Sequence, residues 1–150
     1  TDSPVVICSS ICNGYFHDEE FPSYREVFNL FQKDYANILP DIEKYSEELS
    51  RRQDYIDKYR FGYGYHPFHA FSMISSAHIA EQHCAAIYIV GAQEPGYARA
   101  MGMKTRATFE DALADARKYV GDRPNILALP KTFKIAAVHL CMKDEESSER

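Results

Sequence analysis

The sequence predicts an α/β fold, in which a parallel or mixed sheet carries helices on both faces as a three-layer, Rossmann-like domain. Short apolar runs alternate with longer segments of helical periodicity, in the order strand, helices, strand, helices, strand. Buried strands that are joined by helical crossovers form parallel sheets with right-handed connections. The length of 150 residues, with 45% hydrophobic and 26% charged residues, suits one ordinary globular domain.

Three apolar runs are the predicted strands. Residues 4–10 (PVVICSS) are apolar on consecutive positions, which is typical of a strand that is buried on both faces. Residues 85–91 (AAIYIVG) form the second strand, and residues 125–129 (NILAL), which a proline follows, form the third. A further run at residues 135–142 (IAAVHLCM) is either another strand or a segment that crosses to a partner.

Two helices are predicted directly after the first strand and its loop. Ser23 and Glu26 have the spacing of a capping box, and the apolar residues that follow repeat with helical spacing. A second helix is predicted after Pro40. Its apolar positions form one stripe, and most other residues between Asp41 and Arg60 are charged, so we expect its opposite face to be solvated.

The third predicted helix, residues 67–82, lacks a charged face. Pro67 suits the first helical turn, where its missing N–H costs nothing. Residues 67–80 contain no Asp, Glu, Lys or Arg. Because a helix of this kind is buried on more than one side, we expect it to contact the sheet and also another domain or subunit. The alternative is a central helix that the charged second helix covers.

Two more helices are predicted after the second strand, and their ends are well marked. A short helix near residues 97–101 ends at Gly102. The next helix begins at Thr108, with Asp111 three residues further on as a capping partner, and stops at Gly121. None of these side chains forms a catalytic pattern, so we interpret the segment as scaffold.

The composition argues against several classes of function. With 17 basic and 22 acidic residues the net charge is −5, and nucleic-acid binding needs clustered Lys and Arg instead. No apolar run reaches the roughly 18 residues of a membrane span, and the first ten residues do not resemble a signal peptide. We expect a cytoplasmic protein with reduced thiols, in which Cys8 and Cys84 are buried. Residues 1–140 form the predicted domain, and residues 141–150 a polar, frayed tail.

The loop after the first strand is the first candidate site, because ligands of open α/β sheets bind at the carboxyl ends of strands. A histidine with three carboxylates indicates acid–base chemistry or a divalent-metal hydrolase. The alternative is a polar loop whose acids favour the N-terminus of the next helix. Beside the flexible Gly14, the loop carries these polar side chains: Ser9, Ser10, Asn13, His17, Asp18, Glu19 and Glu20.

Histidines form the second candidate group. His66 and His69 are three residues apart, as in some helical metal pairs, but a structural role is the commoner one. We favour His66 as a functional residue, because the segment from Gly62 to Gly64 allows close approach of a ligand. The same segment lacks the third glycine of a dinucleotide fingerprint, and no G-x-S-x-G nucleophile elbow occurs. The group comprises His66, His69, His78 and His83.

Several of these segments together resemble the C-terminal domain of the nickel-dependent lactate racemase family. The stretch YARAMGMKTRATFEDALADA, with AAIYIVG before it and NILALP after it, is similar to that family's strand, "MGM" helix end, capped helix and strand. VVICSSICNGYFHDEEF resembles its strand and C-x-x-G loop, and GYHPFHAFSMISSAHIAE resembles its Gly-x-His helix. The resemblance covers most of residues 4–130.

The resemblance implies a two-domain enzyme that racemises or epimerises a 2-hydroxy acid, with its active site between the domains. In that family a nickel-pincer nucleotide is bound to a lysine of the N-terminal domain, two histidines there act as acid and base, and the cofactor takes a hydride from the α-carbon. A Gln and a Lys of the family's C-terminal domain would precede Val5. A tryptophan that some members use has no counterpart, because the chain has no Trp.

The sequence therefore predicts that this chain supplies one wall of a shared site. We expect no catalytic residue and no metal ligand on it. Asn13, Gly14, His17 and His66 are the residues that we expect to face the substrate cleft. The expected partners are the N-terminal domain, a small 2-hydroxy acid and a second copy bound through residues 67–80. The alternative function is a non-catalytic α/β interaction or oligomerisation module.

Overall fold

The computed structural model describes residues 3–31 and 38–130, and it confirms the α/β class. Three parallel strands form one sheet in the order β1-β2-β3, and six helices surround it in the described part of the chain. The elements are β1 (Val5–Ser9), α1 (Tyr24–Phe31), α2 (Ile38–Ser50), α3 (Gln53–Phe61), α4 (Phe68–Gln82), β2 (Ala86–Val90), α5 (Pro95–Ala100), β3 (Lys104–Arg106) and α6 (Phe109–Val120).

The central strand β2 is the most buried element of the sheet. All five of its residues are buried, and its register pairs Val5 with Ala86 on one side and Tyr88 with Lys104 on the other. Alternate side chains point to opposite faces. Tyr88 lies on the face that packs against Ala112 of α6.

The prediction that β1 is buried on both faces is wrong. Val5 and Ile7 pack against the core beneath α6, but Val6 and Cys8 are exposed on the other face. The reason is position, because β1 is an edge strand and α6, the described helix that packs on it, covers the face of Val5 and Ile7. Cys84 is also only partly buried, so the prediction of two buried thiols fails.

The third strand is not the one that the sequence predicted. Residues 125–129 make no strand pairing, and Ile126 and Leu127 are more than 70% exposed. The short, polar Lys104–Arg106 pairs with β2 instead. An edge strand can be short and polar because water or a neighbour satisfies its free side. The predicted run at residues 135–142 and the predicted tail at residues 141–150 lie outside the described residues.

The helix that begins at Ser23 is confirmed, but its capping box does not form. The Ser23 hydroxyl donates a hydrogen bond to the carbonyl of Pro67 at 3.4 Å, which ties α1 to the start of α4. The Glu26 carboxylate instead accepts hydrogen bonds from Arg52 (2.6 Å) and from the Tyr55 hydroxyl (2.6 Å). Tertiary partners therefore replace the local cap.

The single helix that was predicted after Pro40 is in fact two helices, α2 and α3. Arg52 stands between them with extended backbone angles (φ −71°, ψ 128°). Its guanidinium bonds both Glu26 and Asp54, which fixes the break. The charge on Arg52 also lies 4.5 Å from the centre of the Tyr55 ring. These contacts hold the α2–α3 corner against α1.

Helix α4 begins after Pro67 and ends at Gln82, as predicted. One face carries Ala70, Phe71 and Ile74, which are fully buried against α1 and α2. The opposite side exposes three large apolar side chains, Phe68, Met73 and Ile79, at 51%, 42% and 57%.

The ends of α5 and α6 also follow the sequence. Gly102 has a φ of +79°, which terminates the turn after α5. The Thr108 side chain accepts a hydrogen bond from the Asp111 amide at 3.2 Å, and Gly121 (φ +78°) closes α6. Among the described residues, no helix is long and apolar enough to cross a bilayer.

Candidate functional site

A cavity of about 280 Å³ opens at the carboxyl ends of β1 and β2. The loop after β1 forms one wall, Ile89 of β2 forms the floor, and α1, α5 and the turn after α5 close the far side. This is where ligands bind in open α/β sheets. The lining residues are Ser10, Cys12, Asn13, Gly14, Tyr15, Phe16, Phe28, Ile89, Tyr97, Ala98, Met101 and Met103.

Backbone hydrogen bonds between two loops build the cavity wall. The Gln93 amide donates to the Ile11 carbonyl and the Glu94 amide donates to the Cys12 carbonyl, both at 2.8 Å. The Ser10 amide donates to Val90 at 3.1 Å. The pairing of β1 with β2 thus continues past the ends of the strands, and it holds the loop after β1 close to the start of α5.

Gly14 occupies a position that no other residue fits well. Its φ is +72°, and a Cβ there would lie 2.9 Å from Cγ of Glu94 and 3.1 Å from the ring of Tyr97. Both the backbone angle and the space therefore require glycine. Cys12 also has a positive φ, of 30°, and its Sγ lies 3.6 Å from the Glu94 carbonyl oxygen. The loop is held in one tight conformation by these contacts.

Aromatic rings form the inner wall of the cavity. The Phe16 ring meets the Tyr97 ring edge to face at 5.0 Å and the Phe28 ring at 5.7 Å. These are favourable ring geometries that join the loop, α1 and α5. Met101 and Met103 complete this wall, and methionine adapts readily to the shape of a ligand.

The cavity is electrically neutral. None of the described residues that line it carries a charge. The guanidinium of Arg25 lies 5.4 Å from the centre of the Phe16 ring, but Asp18 pairs with it at 3.1 Å. The Asn13 Oδ1 accepts a hydrogen bond from the Tyr15 amide at 3.1 Å. Ser10 Oγ accepts from the Cys12 amide at 3.3 Å, which leaves the hydroxyl hydrogen able to donate.

Asn13 and Gly14 therefore line the cavity, but the two predicted histidines do not. His17 Nδ1 accepts a hydrogen bond from the Glu20 amide at 3.2 Å. His66 Nδ1 accepts from the Phe68 amide at 3.2 Å and so satisfies the first turn of α4, while its ring meets Tyr59 edge to face. Both histidines serve local backbone structure.

A tyrosine–histidine contact, which the sequence did not predict, joins the start of α1 to α4. The Tyr24 hydroxyl and His69 Nδ1 are 2.5 Å apart, and the Phe21 and Tyr65 rings pack against the His69 ring. Burial raises the pKa of Tyr24, so the phenol stays protonated in this contact. The spacing of His69 and His66 suggested a shared role, but their side chains have different partners.

The described residues do not form a metal site. Within residues 3–31 and 38–130, no three His, Cys, Asp or Glu side chains are close enough together to hold an ion. The side chains that were considered for a metal hydrolase, including Glu19, are thus not assembled.

A second, more open groove of about 560 Å³ lies along α1 and α3. It contains charged residues, but Arg25 is paired with Asp18 within the groove, and Glu26 is paired with Arg52. We therefore regard the neutral cavity as the better candidate site. In comparisons with known proteins, no family model, no curated protein and no solved structure matches the chain.

Proposed function

We propose that the chain is the C-terminal domain of a two-domain enzyme that racemises or epimerises a 2-hydroxy acid, similar to the nickel-dependent lactate racemases. The proposal includes a cytoplasmic location, in which the free thiols stay reduced. One observation carries it beyond the sequence resemblance. The domain has a preformed cavity without catalytic groups, and the uncharged side of α4 exposes large apolar side chains that a partner domain would cover.

Three large apolar side chains are exposed on α4, and this proposal assigns them to the surface that the partner domain covers. Exposed apolar side chains that are scattered singly are ordinary, but groups of them mark interfaces. On α4, Phe68, Met73 and Ile79 are about half exposed, and the residues between them are small or uncharged. Ile11 and Tyr15, at 68% and 72%, lie exposed in the loop that builds the cavity.

The described residues that line the cavity support a binding role. They include no carboxylate, histidine, lysine or arginine, and the described part of the chain holds no group of three His, Cys, Asp or Glu side chains that could bind a metal. In this proposal the cofactor, which takes a hydride from the α-carbon when bound, belongs to the other domain. This chain contributes a neutral wall that excludes water from one side of the substrate.

The proposed domain has three layers. Ala112 of α6 packs on the sheet face of Tyr88, whereas Ile89, on the other face, shares the cavity with Phe28 of α1 and Tyr97 of α5. These contacts support helices on both faces of the sheet.

The test is activity of the chain when it is expressed together with the coding sequence upstream of Thr1. After the nickel-pincer nucleotide is supplied and nickel content is measured, single enantiomers of a panel of 2-hydroxy acids are incubated and separated by chiral chromatography. We expect cofactor-dependent interconversion of at least one acid. No interconversion across the panel, with nickel content near one per chain, would refute the proposal.

The second candidate function is a non-catalytic interaction or oligomerisation module. The exposed apolar side of α4 favours it, since the same surface would serve a homodimer through residues 67–80. Sedimentation of the isolated chain separates the two. A tight dimer that Met73→Glu dissociates favours the module, whereas a monomer favours the two-domain enzyme.

A further inference from the structure

The chemistry of the cavity lining restricts what it can hold. Apolar and aromatic groups make up most of its surface, and polar atoms come only from uncharged residues such as Ser10, Cys12 and Asn13. Moving a carboxylate from water into such surroundings is costly unless a cation or several donors meet it. The Arg25 guanidinium lies near the rings of Phe16 and Tyr97, but its charge is already paired with Asp18 at 3.1 Å. A neutral, largely apolar group therefore fits this cavity, and a carboxylate does not.

The volume restricts the size of that group. An engineered apolar cavity of about 150 Å³ holds benzene. The cavity of this protein has a volume of about 280 Å³. It therefore has room for one benzene ring together with a short chain or a ring substituent. The Phe16 and Tyr97 rings, which meet edge to face at 5.0 Å, offer faces and edges to a third ring.

The position of the polar atoms in the cavity lining would orient a bound ligand. Ser10 and Asn13 belong to the loop at the carboxyl end of β1, whereas Ile89 and Phe28 lie on the sheet and helix side. A ligand with an apolar end and a polar end would place its ring against Ile89 and its polar end toward the loop. The exposed Ile11 and Tyr15 lie in the same loop.

We propose that this cavity binds the side chain of the substrate, and that this side chain is a single aromatic ring on a short chain. The inference rests on the proposed function. The substrate class is thus 2-hydroxy acids with an aryl or arylmethyl side chain. The ring lies against Phe16, Ile89 and Tyr97, and the carboxylate and reacting carbon lie outside the cavity, toward the other domain. Lactate, with a methyl group, leaves most of the cavity unfilled.

The first experiment needs only the 150-residue chain and two probes with the same ring. We expect 2-phenylethanol to shift the NMR methyl signals of Met101 and Met103 but not that of Met73. Benzoate, whose carboxylate is attached to the ring, should bind at least about tenfold more weakly. Equal or tighter binding of benzoate, or shifts confined to Met73, would overturn the inference.

A matched pair of variants adds a second test. Ala98→Leu fills the cavity, and Ala80→Leu makes the same change on the exposed side of α4. We expect Ala98→Leu to weaken 2-phenylethanol binding by about tenfold or more, and Ala80→Leu to leave it unchanged. If Ala98→Leu fails to fold, the methyl shifts in the unaltered chain decide the outcome. Binding that a folded Ala98→Leu protein retains in full would refute the site.

The outcomes separate this inference from the proposed function. If the two-domain protein interconverts hydroxy acids but prefers lactate to 3-phenyllactate, the cavity inference fails and the proposed function stands. If the chain binds 2-phenylethanol at Met101 and Met103 but the two-domain protein interconverts no acid, the substrate assignment and the proposed function fail together. The cavity then remains a site for a neutral aromatic molecule of another kind.

Discussion

Helices α4 and α6 differ in the surface that each presents away from the core. On α6, Asp115 bonds both Arg106 and Lys118, and Thr108 caps the first turn. On α4, the corresponding surface holds Phe68 and Met73 and has no charged residue before Glu81. Both helices expose large side chains, since Phe109 and Tyr119 of α6 are also about half exposed. Only the α6 surface carries paired charges, which are typical of a helix that faces water. This difference supports the proposal that a partner covers the α4 side, whereas the α6 side faces solvent.

Truncation of a buried ring on α4 should give the largest loss of folding stability. It should also distinguish the buried side of α4 from its exposed side. Phe71 is fully buried and its ring lies 6.1 Å from that of Phe31. We expect Phe71→Ala to lower the free energy of unfolding by about 3–5 kcal/mol. Phe68→Ala, on the exposed side, should change it by less than about 0.5 kcal/mol in the isolated chain. Urea unfolding measures both, and equal losses would show that Phe68 is already packed.

A charge on the exposed side of α4 should affect association and not folding. We expect Met73→Glu to weaken binding of the partner domain by at least about tenfold, because a carboxylate would be buried unpaired. Unfolding of the isolated chain should be nearly unchanged. Val120→Glu is the matched control on α6, where a valine of similar exposure (37% against 42%) faces solvent. Equal weakening by both variants would contradict the difference between the two helices.

Removal of the N-terminal cap of α6 should lower the free energy of unfolding by less than truncation of Phe71. Thr108→Ala deletes the oxygen that accepts the Asp111 amide hydrogen bond, and we expect it to cost about 1 kcal/mol. The comparison variant is Ser76→Ala on α4, whose hydroxyl only donates to the Ser72 carbonyl within the helix. We expect that change to be neutral or slightly stabilising. An unchanged free energy of unfolding in Thr108→Ala would show that this cap does not stabilise α6.

The smallest expected effect is on thermal stability, which should depend on pH through Asp115 of α6. Hydrogen bonds from Lys118 and Arg106 lower the pKa of Asp115 below its ordinary value of about 3.9. The stabilisation is therefore fully present above that value and is lost as the pH falls through the lowered pKa. We expect Asp115→Asn to lower the Tm at pH 7 by about 2 °C or less, and the difference from wild type to shrink as the pH falls below about 3.9. A difference in Tm that stays constant or grows as the pH falls through the acid range would contradict this.

The sequence predicted those parts of the fold that have local causes. Pro67 and the Thr108–Asp111 pair mark the starts of α4 and α6, and Gly121 marks an end, because each acts within one helical turn. The break between α2 and α3 was not predicted, since Arg52 finds Glu26 26 residues away. Strand β3 was missed because three polar residues at a sheet edge have no apolar pattern.

The site could be predicted in part for the same reason. Asn13 and Gly14 were singled out because the carboxyl end of a strand is fixed by the sheet topology, and both line the cavity. The inner wall was not found, since Phe28 and Tyr97 come from helices that only tertiary packing brings together. His66 does not line the cavity, and it accepts a hydrogen bond from the Phe68 amide at the start of α4. Its role at a substrate cleft stays a prediction.

The measurement that most directly tests the shared-site account is oxidative footprinting of Met73. Its side chain is 42% exposed in the isolated chain, so hydroxyl radicals should oxidise it readily. We predict that oxidation of Met73 falls at least about fivefold when the chain is joined to the polypeptide encoded upstream of Thr1, since packing removes access. The matched exposed reporter on α6, Tyr119, should react equally in both samples. An unchanged rate at Met73 would contradict the account.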